Sequence, residues 1–138
     1  MAAYAYWTGG GSGTGSAGVG TPTALTVNQT ATSTNLTPGG TAVALSGNFD
    51  NPNSGPITVT SLTAVVDSSF SSRTDINKPA CTSADFSIGG TATIGSSGVV
   101  PAGNAKGSWS GLTVSMANAA TNQDNCKGVS VPIIYTAS

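Results

Sequence analysis

Apolar residues in this chain alternate with polar ones in short runs, and clusters of Gly, Pro, Asn, Asp and Ser close each run. Alternation is what a strand requires, because its successive side chains point to opposite faces. A helix instead needs apolar residues at three- and four-residue spacing, and no such stripe persists along the 138 residues. Composition closes the helical route further. All five acidic residues are Asp, charged residues are only 7%, and 19 Gly and 7 Pro are spread through the chain. Gly and Pro are the two residues least compatible with a helix interior.

The alternation predicts strands over 24–29, 42–49, 57–67, 84–88, 108–118 and 128–137, with a further strand and turn across 91–104. Leu25 and Val27 share a face, as do Val43, Leu45 and Phe49, then Leu112, Val114 and Met116, and finally Val129, Val131, Ile133 and Tyr135. In 57–67 the parity breaks: Ile57 and Val59 fall on one face, Leu62, Ala64 and Val66 on the other. A regular strand forbids this, so a bulge or bend is expected near Thr60–Ser61. Trp109 is out of phase with Leu112 across Gly111. Pro132 lacks an amide donor, which suits an edge or a bulge. Residues 68–83 read as a long polar loop. The expected fold class is all-β: a single immunoglobulin-like or jelly-roll sandwich of seven to eight antiparallel strands over residues 21–138.

Ahead of it, residues 1–20 form a separate unit. Seven of the thirteen residues from Thr8 to Gly20 are glycine. Such a segment is a tether, with an r.m.s. span of roughly 20 Å. It carries an alternating stub, Ala3, Tyr4, Ala5, Tyr6 and Trp7, which in extended form puts Tyr4 and Tyr6 on one face. Two readings stand: a strand donated to a sandwich, or the remnant of an export signal.

Charge and chemistry exclude several functions. Four basic residues against five acids give a net charge of -1, too little for a phosphate-binding face, so no nucleic-acid partner is expected. No run approaches the about 18 apolar residues of a membrane span, so no insertion is expected. With no His, the usual general base and the usual zinc ligand are both missing. No enzyme activity, cofactor or metal is expected. Asp50 and Asp124 sit among amide-rich loop residues, which could hold calcium, yet Asn, Asp, Pro and Gly are also what tight turns use. Trp109 and Tyr135 could offer a sugar-stacking surface; a core or rim role is the simpler reading. Cys81 and Cys126 are an even pair in a chain of extracellular character, which reads as a disulfide worth about 4 kcal/mol in the chain-entropy model. Two buried free thiols are the alternative.

The opening residues 1–20, with "LTPGGTAVALSGNFDNPNSGPITVTSL" (36–62) and "SMANAATNQDNCKGVSVPIIYTAS" (115–138), resemble small exported proteins of Gram-positive bacteria. The start is similar to that of the camelysin and TasA group; the later stretches resemble bacterial immunoglobulin-like domains and actinobacterial exported proteins. The resemblance implies a secreted sandwich, with Met1 standing where a signal peptide was removed, and matrix fibres built by strand exchange between copies. The group's protease assignment does not carry over, since no histidine is available to hold a metal. Its members do not require a cysteine pair. The expected function is a non-catalytic surface or filament subunit, secreted or held at the cell surface, whose partner is a second copy of itself. The alternative is a monomeric module binding a glycan or a protein through loops 50–56, 68–80 and 118–127.

Overall fold

The computed structural model describes residues 13–32 and 35–138, and these form an all-β protein. Ten strands follow in order: β1 (Thr26–Gln29), β2 (Val43–Asn51), β3 (Ile57–Thr58), β4 (Leu62–Val66), β5 (Ser71–Ser72), β6 (Cys81–Thr82), β7 (Phe86–Ile94), β8 (Val99–Val100), β9 (Gly103–Met116) and β10 (Ile133–Ala137). The main layer is an antiparallel sheet in the order β1-β2-β9-β7. Two-stranded pieces complete the structure: β10 with β4, β3 with β8, and β5 with β6. The stub from Ala3 to Trp7 lies outside the described residues.

The core lies between the main sheet and the β10–β4 pair. Leu45 and Phe49 of β2 and Trp109, Leu112 and Val114 of β9 meet Val59, Leu62 and Val100, with Ala64, Ile133, Tyr135 and Ala137 packed against them. A second cluster, made of the Cys81–Cys126 bridge, Phe86 and Met116, fills one end.

The parity breaks have a structural cause. The predicted strand 57–67 divides, because Val59 donates to the Gly98 carbonyl at 2.8 Å whereas Thr60 and Ser61 donate to Ser138 at 2.7 and 3.1 Å. The chain changes partners there, and Val59 and Leu62 both end up buried. Between Leu45/Leu112 and Gly47/Trp109 the register of β2 and β9 slips by one residue. The extra residue turns Trp109 inward beside Leu112.

Three expectations need correction. The runs 84–88 and 91–95 belong to one strand, β7, bent at Gly90, while Ala84 and Asp85 sit in a 3₁₀ turn. Gly90 has φ +79, and a Cβ there would stand 2.1 Å from the Gly111 carbonyl oxygen, so the bend depends on glycine. The loop 68–83 contains the β5–β6 hairpin, which its polar sequence hid. The pairing of β10 starts only at Ile133, leaving 128–132 outside the ladder. Pro132 lies in that stretch, exposed and just ahead of β10, so it is in neither an edge strand nor a bulge; its carbonyl accepts from the Asp67 amide at 2.9 Å.

Candidate functional site

β1 is the outer strand of the main sheet, and β10 has a partner only in β4. The side of the molecule between them is therefore unsealed. At the end carrying the disulfide it opens as a groove of about 780 Å³. Residues 29–32 and 35–37 form one wall and 126–133 the other, with Phe86, Val114 and Met116 as the floor. Leu36, Val129, Val131 and Ile133 give the walls apolar patches among Gln29, Thr30, Thr32, Asn35 and Thr37, and among the described residues Lys127 at the rim is the one charged side chain lining the groove.

Beyond the turn at Lys127–Gly128, the second wall alternates in burial as a strand does. Val129, Val131 and Ile133 are half-buried while Ser130, Pro132 and Ile134 are exposed, a period of two. Yet among the described residues the backbone amides of Ser130 and Val131 meet no carbonyl. Unpaired amides on an extended, half-apolar segment are a template for another strand.

Towards the opposite end lies a second cavity of about 500 Å³, bounded by 22–25, Val27, 57–59 and, from β10 onward, Ile133, Tyr135, Ala137 and Ser138. Tyr135 is held in place there: its hydroxyl donates to the Gln29 side-chain carbonyl, and its ring packs on Trp109 at 4.9 Å. Burial pushes the Tyr135 phenol up to about 12. Because this value lies above the ordinary tyrosine pKa near 10, the contribution to stability is complete below about pH 10 and disappears as pH rises through the folded value. A 295 nm absorbance titration should show one of the three tyrosines ionising late, and Tyr135→Phe should remove that step.

The disulfide end is organised by Asn125, which is 2% exposed. Its Oδ1 accepts from the Thr74 and Asp75 amides at 3.1 and 2.9 Å and from the Thr74 hydroxyl. Its Nδ2 donates to the carbonyls of Asp75, Lys78 and Pro79. Replacement by Ala would strand several of these groups, and an expected loss of about 2–4 kcal/mol should be legible in urea unfolding. Asp124 next to it bonds Lys78 at 2.8 Å and Lys127 at 2.9 Å. These contacts, Lys78 foremost, hold its carboxyl well below the usual carboxylate range. The pairs are exposed, so their energetic worth is small.

Cys81 and Cys126 are bonded, as one of the two cysteine readings expects. Asp50 lies in β2 and accepts from the Asn28 side chain of β1 and the Ala105 amide of β9, whereas Asp124 bonds Lys78 and Lys127. Trp109 is 2% exposed and does not form a surface platform with Tyr135. The three loops proposed for ligand binding do not converge. Asn125 brings 68–80 and 118–127 together near the bridge, whereas Asn51 ties 50–56 to β8 at the other end, through Val100. The groove itself was not anticipated as a site; the alternation of Val129, Val131 and Ile133 was its one visible trace. Among the described residues no helix is long and apolar enough to cross a membrane. Comparison with protein-family models, curated proteins and solved structures finds no match.

Proposed function

We propose that this chain is a non-catalytic, secreted structural subunit of a bacterial surface or extracellular filament, in which the stub of one copy adds as a strand to the groove of the next. The observation that carries this reading is the wall 129–132: it alternates in burial beside an apolar floor, and its Ser130 and Val131 amides have no backbone acceptor among the described residues. Residues 3–7 suit the vacancy in kind. They are uncharged, alternate in size, and offer Tyr4 and Tyr6 to one face. Residues 13–20 are exposed and carry no ladder, leaving that stretch of the tether free to leave its own domain. Fully extended, the thirteen residues from Thr8 to Gly20 reach about 43 Å, enough to cross to a neighbour.

Each donor is also an acceptor, so the contact is head-to-tail and grows into a filament unless its rotation closes a ring. The disulfide agrees with an oxidising, extracellular location. Light scattering and negative-stain microscopy of the full chain and of a chain lacking residues 1–20 test the reading. Oligomers or filaments are expected from the first and monomers from the second. Monomers from both would end the filament reading and turn the search to ligands of the clustered loops 68–80 and 118–127.

A further inference from the structure

The second wall of the groove is fastened at two places. At Pro132 it meets the β4 edge through the Asp67 amide, and β10 begins. At Cys126 it is bonded to Cys81 of β6. Between these points only the Lys127 and Val129 amides have backbone acceptors among the described residues, and these are local: the Asp124 carbonyl at 3.1 Å and the Cys126 carbonyl at 3.3 Å. Upstream of Cys126 the nearest ladder residue is Met116. The whole connection 117–132 thus crosses the end of the molecule without strand pairing.

Its other fastenings are weaker in reach. Gln123 donates to Asp85 at 2.8 Å and to the Ala117 carbonyl at 3.0 Å. Asn125 grips residues 74–79, but that loop is itself held only by the two-residue strands β5 and β6. The bridge is what joins the wall to the floor: Cys81, Cys126, Phe86 and Met116 form one buried cluster, and Val129 and Val131 pack on it. The larger core around Leu45, Phe49 and Trp109 is a separate cluster.

We infer that the Cys81–Cys126 disulfide licenses assembly, so that the groove accepts a strand only in the oxidised chain. The inference rests on the filament reading above. In the closing step the two thiols lose two protons and two electrons to a disulfide-bearing oxidant. One S–S bond forms between Cys81 and Cys126, and the oxidant's own S–S bond becomes two thiols. Before that step the wall is held at Pro132 and by the Gln123 and Asn125 side chains, without the bond that fixes its amides at a set distance from the floor, while the main core is already formed. A chain still in a reducing compartment would then not polymerise with its copies; oxidation after export would start assembly.

Two measurements on the full chain separate the possibilities. Hydrogen exchange is followed in a chain carrying Tyr4→Ser, Tyr6→Ser and Trp7→Ser, oxidised and reduced. Reduction is expected to speed exchange at the Cys126, Lys127 and Val129 amides at least tenfold and to leave the β9 amides unchanged. Light scattering of the wild-type chain is expected to show assembly when oxidised, none when reduced, and recovery on reoxidation. Equal assembly of oxidised and reduced chains overturns the licence alone. Loss of β9 protection on reduction overturns it as well, since control would then lie in folding. An oxidised chain that never assembles overturns the filament reading, and the licence with it.

Discussion

Replacing Trp109 by alanine is expected to cost about 3–5 kcal/mol of unfolding free energy, the range of buried aromatic truncations. Trp109 is 2% exposed, the bulkiest of the fully buried side chains, and is placed where both layers meet. It also does more than fill space. Its Nε1 donates to the carbonyls of Asn28 and Asn48, each at 3.2 Å, so one indole holds β1 and β2 from beneath. Gly47 makes room for this: a Cβ there would stand 1.7 Å from the Asn28 carbonyl oxygen and 2.9 Å from the indole nitrogen. Truncation would therefore leave a cavity, remove the support of Tyr135 and loosen β1, a four-residue strand paired only with β2. Trp109→Phe keeps much of the volume and loses the two indole hydrogen bonds with a smaller part of the packing, for about 1–3 kcal/mol. Urea unfolding followed by circular dichroism reads both, without interference from Trp7. A cost below about 1 kcal/mol for the alanine variant would mean that the two layers do not depend on this contact.

Much of this arrangement was legible in the alternation of the sequence. Val43, Leu45 and Phe49 lie inward as predicted, and the parity change at Thr60–Ser61 marks a real change of partner. A periodicity of two reports which face of a strand is buried, because burial selects side chains one by one. It does not report which edge has a neighbour, because hydrogen-bonded backbone is nearly the same for every residue. For that reason Val129, Val131 and Ile133 could be read as an inward face, while the lack of a strand partner for 129–132 among the described residues could not. The β5–β6 hairpin was hidden for a related reason: Ser71, Ser72 and Thr82 bury little, and the disulfide and Asn125 hold the hairpin's surroundings instead of an apolar face. The bend of β7 at Gly90 turned one strand into two apparent ones, since a bulge disturbs the count that alternation relies on.

The groove can be tested one side chain at a time. Val131→Asp is expected to reduce assembly at least 100-fold, seen as loss of large species in light scattering, with the monomer still folded. Val131 is half-buried in the open groove and packs on the Cys81, Phe86, Met116 and Cys126 cluster. In the free monomer an aspartate there can still turn its carboxylate to water through the groove mouth. An incoming strand would cover that mouth and leave the charge without a partner, because the only charged lining residue among those described, Lys127, stands at the rim bonded to Asp124. Burying an unpaired carboxylate costs several kcal/mol, and about 2.8 kcal/mol is already a hundredfold in an association constant. Ser130→Asp supplies the control. It adds the same charge to the same wall one residue away, on the exposed face opposite to that of Val131. Val131→Asp monomeric and Ser130→Asp assembling as the wild type would place the contact in the groove. Equal loss in both would point to charge repulsion between copies at the outer surface, and assembly undiminished in both would remove the groove from the mechanism.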